Sequence, residues 1–497
     1  VTQPPRLCDS TLGTLPVNIG RPAYDRSQLE TGIVHFGVGA FHRSHQALAM
    51  DRLFQKGEAF DWAITGVGLL PADRALGEKL LMQDCLYTLV EKHADGHVDA
   101  RVIGSIIDYK FAPDDPGAVI ELLADPATRI ISLTITEGGY NFDPATLEFD
   151  SANPIIVSDL ANPENPRTVF GYVTAGLKLR RDRGIEPFSI VSCDNIAGNG
   201  HIAHKMFTAF ATMADPKLGE WIDERVSFPN SMVDRITPVT TQDDVELVYE
   251  LTGLADLCPV VAEPFFQWVL EDAFSQGRPD LDHADVQIVS DVEPYELMKL
   301  RLLNASHQAL AYFGYLSGYR LVHDAAADPA MVFLLRAYMD NEATPTLRPV
   351  AGIYLDAYKA DLISRFQNPE VKDTISRLCA ESSDRIPKWL VPVIVEQLER
   401  GGDVTLSAAI VASWARYAEA IDEQGDPIEV VDQLKSELIP IAQGQKSDPL
   451  AFIRIHKLFG DLADKPEFTQ PYLTALNSLW SVGARETMMS LVELDRV

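Results

Sequence analysis

Short β-rich runs alternating with helical stretches through about the first two hundred residues constrain this chain more than any other feature. The run at 33–36 reads as a strand and is followed by Gly37-x-Gly39 and a helical stretch over about 42–54. Runs at 62–67, 102–107, 130–136 and 188–192 read as further strands, β-branched and closed by glycine, aspartate or asparagine. Strands that alternate with helices predict a mostly parallel sheet of the Rossmann type, covered on both faces. Beyond about residue 290 strand-like runs become scarce and helix formers dominate. The expected fold is α/β, with a cofactor-binding domain over 1–290 and a mainly α-helical substrate-binding and catalytic domain over 291–497.

Composition narrows the partners. With 42 Lys and Arg against 72 Asp and Glu, the net charge is −30. Such a surface repels phosphate backbones and anionic headgroups, which argues against nucleic acid and membrane partners. No run resembles about 20 uninterrupted apolar residues, so no transmembrane helix is expected. The five cysteines show no Cys-x-x-Cys spacing. Neither a structural metal site nor a disulfide framework is expected, and a reducing cytoplasm fits. The oligomeric state stays open, a monomer included.

Three constellations carry chemistry. Gly37-x-Gly39 stands between a strand and a helix, where backbone can approach a pyrophosphate; the third glycine of the usual fingerprint is replaced by His42. A plain strand-to-helix turn would also use these glycines. Asp73, after the second strand, is the candidate for the adenosine ribose hydroxyls, with a solvated loop aspartate as the alternative. The strand ends at Thr136-Glu137-Gly138-Gly139 and Cys193-Asp194-Asn195 fall where open α/β sheets bind ligands, although turn chemistry alone explains Gly138 and Asp194. The third constellation is helical. On an α-helix at about 100° per residue, His307 lies about 80° and Asn304 about 140° from Lys299, with leucines inside the same arc. This is either a core helix with a few satisfied polar groups or a partly apolar catalytic wall. In the second case burial disfavours a charged lysine, and a neutral one takes a proton from an alcohol while hydride leaves the same carbon.

These residues are familiar together. His35-Phe-Gly-Val-Gly-Ala-Phe-His-Arg-Ser-His-Gln46, Thr134-Ile-Thr-Glu-Gly-Gly-Tyr140, Ser192-Cys-Asp-Asn195, Phe228-Pro-Asn-Ser-Met-Val-Asp-Arg-Ile-Thr-Pro238 and Lys299-x4-Asn304-x2-His307 resemble the long-chain mannitol dehydrogenase family. The likeness runs from about residue 30 to beyond 420. It implies zinc-independent, NAD-dependent oxidation of a polyol to a ketose, D-mannitol to D-fructose first. D-arabinitol, D-sorbitol or a hexuronate such as fructuronate are alternative substrates. A non-catalytic NAD-binding sensor and an oxidative sugar-acid decarboxylase are the readings from other classes. The resemblance makes Lys299 the general base, Asn195 and Asn304 the oxyanion hole, and Glu296 the gate for proton exchange with water. His307 and Asp234 would hold substrate hydroxyls, and Arg377 and Arg385 would be basic substrate contacts. Gly37, Gly39, Phe41, Asp73, Glu137, Gly138 and Asn195 would hold NAD, with Asp73 disfavouring a 2′-phosphate. Ala72 departs from a family pattern that can carry an acidic residue there, so NAD preference rests on Asp73 alone. Asp234-Arg235, taken in isolation, reads as an ion pair.

Overall fold

The computed structural model describes residues 4–142, 146 and 148–494, and the chain divides into two compact units, Val1–Glu293 and Pro294–Val497. The strands of the first unit are β1 (Thr31–Phe36), β2 (Ala63–Gly68), β3 (Tyr87–Lys92), β4 (Val98–Ile103), β5 (Ile106–Phe111), β6 (Ile130–Leu133), β7 (Ser189–Ser192), β8 (Ser231–Asp234), β9 (Val260–Ala262), β10 (Gln267–Glu271) and β11 (Val286–Val289).

One sheet runs β5-β2-β1-β6-β7, and every neighbouring pair in it is parallel. Alternation along its strands explains the two layers that flank it. Ile33 joins Ile64, Ile106 and Ile130 in one apolar cluster. Val34 and Phe36 point the other way, into a second cluster with Val67, Ile131, Leu133 and Ile190. A sheet apolar on both faces must be covered on both. Strand order reverses between β1 and β6, which makes their carboxyl ends the switch point where such sheets bind ligands. Two smaller three-stranded sheets, β4-β3-β9 and β11-β10-β8, complete the unit.

Local expectations needed correction. The run at 102–107 is two strands, β4 and β5, parted at Gly104-Ser105. A β-carbon at Gly104 would lie 2.8 Å from Pro22 and 2.9 Å from the Tyr24 hydroxyl, and Ser105 donates to the Ala47 carbonyl. The strand at 130–136 stops at Leu133, because Asp194 captures the Ile135 and Thr136 amides (below). The helix expected over 42–54 is two helices, Ala40–Ser44 and Gln46–Gln55, broken at His45. Buried His45 donates its Nε2–H to the Gln267 carbonyl of β10 at 2.9 Å, which fixes the break.

Helices make up the regular elements of the second unit among the described residues. Ala305–Leu316 and Thr405–Tyr417 are buried almost all round, as core helices are. Trp414 gathers Tyr312, Phe452 and Phe459 around itself. Among the described residues, no helix is long and apolar enough to cross a membrane.

Candidate active site

In the first unit the sites singled out by sequence gather at the ends of β1, β6 and β7. Gly37 follows β1 with φ +91°, and a β-carbon there would sit 2.0 Å from the Thr134 carbonyl oxygen, so only glycine fits. The Thr134 hydroxyl donates to the Gly37 carbonyl at 2.7 Å. That hydroxyl accepts from His35 Nε2 at 3.0 Å, and Nδ1 of the same ring accepts from the Ser132 hydroxyl at 2.7 Å. His42 stacks on His35 with centroids 3.4 Å apart. Burial pushes His35 well below the usual imidazole range and His42 down to about 3. Both rings therefore stay neutral under the turn. Gly39 is different, because a β-carbon there would meet only the Gly37 carbonyl oxygen, at 3.7 Å. Gly39 opens Ala40–Ser44, and Phe41 on that helix stacks on His45 at 4.9 Å.

Across the switch point, Glu137 and Gly138 form an exposed 3-10 turn after β6. Asp194 beyond β7 holds that turn. Its carboxylate accepts from the Ile135 and Thr136 amides, at 3.1 and 2.8 Å, and from the Tyr140 hydroxyl at 2.7 Å. Burial raises the Asp194 carboxyl above the ordinary range, against these three donors. Its neighbour Asn195 is exposed. A β-carbon at Gly138 would meet nothing within 4 Å. Room above backbone at Gly39 and Gly138, at the ends of adjacent parallel strands, fits the diphosphate of a dinucleotide. Asp73 follows β2, and its Oδ2 accepts from the Leu69 and Leu70 amides at 2.9 and 2.8 Å, so it also caps Pro71–Met82.

Asp234 is buried at the end of β8. Asn199 fastens the start of β8 beside β7, donating to the Asp194 and Ser231 carbonyls. Arg235 pairs with Glu91 and also donates to the Glu263 and Ser44 carbonyls. The surface or intradomain ion pair that Asp234-Arg235 suggests in isolation is made by Arg235 with Glu91 of β3, inside the same unit, and it anchors the strand on which Asp234 sits.

In the second unit, Lys299, Asn304 and Glu296 are buried, at 8%, 4% and 7% exposure, and His307 is half-buried with its ring 4.6 Å from Phe366. The α-helical wheel does not hold here. Lys299–Asn304 is a π-helical turn between Glu293–Met298 and Ala305–Leu316, and the Ala305 amide donates to the Leu300 carbonyl five residues back. In such an i→i+5 turn each residue advances by less than in an α-helix, so residues five apart lie about 50° from each other rather than about 140°. Lys299 and Asn304 share one face, in place of the wide separation expected of an α-helix. Arg377 and Arg385 are already engaged. Arg377 is ion-paired with Asp373 through both carboxylate oxygens. Arg385 donates to the Arg377 and Leu378 carbonyls at 3.1 and 3.0 Å, capping Ile375–Cys379. Among the described residues, no group of three or more His, Cys, Asp or Glu could hold a metal ion.

Sequence reading gives no role to Thr134 and Tyr140, and gives Asp194 only turn chemistry, although these three hold the two turns. The signal for Asp194 was its place beside Asn195 at a strand end. It passed over Arg301 as well, a charge between leucines.

Comparisons with known proteins bear on this arrangement. Residues 31–283 match the family of mannitol dehydrogenase Rossmann domains, and residues 291–480 match the mannitol dehydrogenase C-terminal domains. A mannitol dehydrogenase of Saccharomyces cerevisiae is 44% identical over 473 residues, covering 95% of this chain and 93% of its own. A mannitol 2-dehydrogenase of Aspergillus fumigatus is 44% identical over 474 residues, covering 94% of each. The Pseudomonas fluorescens mannitol 2-dehydrogenase, solved as a ternary complex with NAD and D-mannitol, superimposes with a TM-score of 0.88 at 42% identity, over 98% of this chain and 99% of that one. A substrate-free D-sorbitol dehydrogenase superimposes with a TM-score of 0.91 at 37% identity, over 97% and 100%.

Proposed function

The chain belongs to the mannitol dehydrogenase family, and from that premise we propose that it oxidises D-mannitol to D-fructose with NAD, using Lys299 as general base. The relatives support polyol oxidation, and the neighbour bound to NAD and D-mannitol supports the cofactor and the first substrate. The observation that supports the lysine assignment is the wide turn, whose five-residue spacing narrows the angle between buried Lys299 and buried Asn304.

NAD, when bound, supplies the hydride acceptor; Gly37, Gly39, Phe41, Asp73, Glu137 and Gly138 are the residues assigned to hold it. Lys299 Nζ takes the hydroxyl proton as the C–H bond breaks, and returns it when a ketone is reduced. Asn304 donates its amide N–H to the oxygen on which negative charge grows. Asn195 is assigned the amide donor of the cofactor-binding half. His307 and Asp234 orient neighbouring hydroxyls. Glu296, one helical turn before Lys299, passes the proton on to water.

Because Arg377 and Arg385 already serve Asp373 and a helix end, a neutral polyol suits this chain better than a hexuronate. D-sorbitol is the second reading, favoured by the similarity to D-sorbitol dehydrogenase. The test is a panel of D-mannitol, D-arabinitol, D-sorbitol, D-fructose and fructuronate with NAD(H) and NADP(H), followed by nicotinamide absorbance. The expected result is the highest kcat/KM with D-mannitol and NAD. A higher value with D-sorbitol would install the second reading, and one with fructuronate would remove both.

A further inference from the structure

The Lys299–Asn304 turn contains a residue that the mechanism leaves unused. Arg301 is buried, and its guanidinium grips Glu396 of helix Val391–Glu399 through two bonds, Nη1 to Oε2 at 2.7 Å and Nη2 to Oε1 at 2.5 Å. Nη1 also donates to the Thr346 carbonyl at 2.8 Å. The backbone carbonyl of Arg301 accepts from the Tyr338 hydroxyl at 3.2 Å. Side chain and main chain are thus both held from outside, at the centre of the turn.

Tyr338 is itself fully buried and opens a second π-helical turn, Tyr338–Ala343, closed by the Thr344 amide on the Met339 carbonyl. This second turn is fixed independently. The Thr344 hydroxyl donates to the Met339 carbonyl at 2.6 Å, and Glu342 accepts from the Leu406 and Ser407 amides at the start of Thr405–Tyr417. Gln397 donates to the Glu342 carbonyl at 2.5 Å. Adjacent residues of one helix, Glu396 and Gln397, therefore each hold one of the two wide turns, and Tyr338 joins the turns to each other.

Lys-Leu-Arg-Leu-Leu-Asn is made of good helix formers apart from its last residue. Nothing local favours five-residue spacing, and π turns are rare. Left to propensity, the segment would run as α-helix, which swings Asn304 about 140° away from Lys299. The contacts at Arg301 are what oppose that relaxation.

We propose that Arg301, Tyr338 and Glu396 form a positioning device that keeps the turn wide and so keeps Lys299 and Asn304 on one face. The inference rests on the assignment of Lys299 as base. All three act through the turn: Tyr338 and Glu396 each bond to it, at Arg301.

The test compares the native enzyme with Tyr338→Phe, Glu396→Gln, their double variant and Lys299→Ala. Readouts are kcat and KM for D-mannitol, the pH–rate profile, the NAD dissociation constant and the thermal midpoint. Tyr338→Phe deletes one hydroxyl and Glu396→Gln keeps side-chain shape, so at least one folded variant is available. The expected result is a fall in kcat of about ten- to a hundredfold in each, the scale of a small misplacement, with NAD binding unchanged. The pH–rate profile shifts with it, and the double variant is little worse than the worse single one, as expected of residues acting as a unit. Native kcat and native pH profile in both single variants, with Lys299→Ala inactive, overturn the device and leave the base assignment standing. So does a lowered thermal midpoint with unchanged kcat and profile. Near-native turnover by Lys299→Ala removes the base assignment and the device with it.

Discussion

Replacing Gly39 by alanine separates cofactor binding from folding. The two glycines of the β1 turn differ sharply in what surrounds them. At Gly39 the backbone is extended, with φ −101° and ψ −173°, and a β-carbon has its nearest neighbour at 3.7 Å. The added methyl strains nothing in the protein, and the weaker helix cap costs under about 1 kcal/mol. It does project into the space assigned to the diphosphate. Losing one charge-assisted hydrogen bond to a phosphate costs about 2 kcal/mol, which is about thirtyfold in Kd. Gly37→Ala is the contrasting case. Its β-carbon would lie 2.0 Å from the Thr134 carbonyl oxygen and 2.8 Å from the carbonyl carbon, at φ +91°. Overpacking of about 1–3 kcal/mol adds to roughly 1–2 kcal/mol for a side chain at positive φ. At about 2 °C per kcal/mol for a unit of this size, the thermal midpoint falls by roughly 4–10 °C. Both variants are assayed by NAD titration and thermal unfolding. Gly39→Ala should unfold at the native temperature and bind NAD about thirtyfold more weakly; Gly37→Ala should lose both. Native NAD affinity in a natively stable Gly39→Ala would refute the placement of the diphosphate at this turn.

Further outcomes follow from single groups. Burial lifts the Glu342 carboxyl to about 7 from an ordinary 4.5, so the folded chain holds a proton that the unfolded chain releases between those values. Its contribution is present in full below the unfolded value and is lost as pH rises through 7, by roughly 3 kcal/mol at most. Glu342→Gln should flatten the dependence of thermal midpoint on pH between about pH 5 and about pH 8, and an unchanged slope would clear Glu342 of that role. Asp73→Ala loses the cap that its Oδ2 makes on two amides, at about 1 kcal/mol, and should raise kcat/KM with NADP relative to NAD. The same cofactor ratio in both proteins would take Asp73 out of the ribose site. Asn304→Ala should lower kcat about a hundredfold to a thousandfold, the scale of one oxyanion donor, with little change in NAD affinity; a kcat within a few-fold of native would end its assignment.

The parts of the fold legible in the sequence were those built by local pattern. β1, β2, β6 and β7 announced themselves because strands buried on both faces are nearly all apolar or β-branched. β3 and β4 carry Glu91, Lys92, Asp99 and Arg101 on part-exposed faces, and β8 and β9 have only four and three residues, too few to show a period. The helix break at His45 depends on a carbonyl of β10, some two hundred and twenty residues away. The site follows the same division. Gly37, Gly39, Glu137 and Asn195 could be placed at strand ends because the strands were visible. The wide turn that brings Lys299 and Asn304 toward one face was not visible. It depends on Tyr338, Thr346 and Glu396, between 37 and 95 residues from Arg301, and helix propensity pointed to the ordinary turn. Asp194 reads as turn chemistry in the sequence, and it is a turn residue. What the sequence did not reveal is that it ties the end of β7 to the turn after β6.

Single-turnover reduction of NAD by D-mannitol at neutral pH, native protein against Lys299→Ala, tests the central assignment most directly. A buried general base predicts a loss of about a hundredfold to ten-thousandfold in the variant, with the NAD dissociation constant unchanged. A variant that reduces NAD at close to the native rate would contradict it.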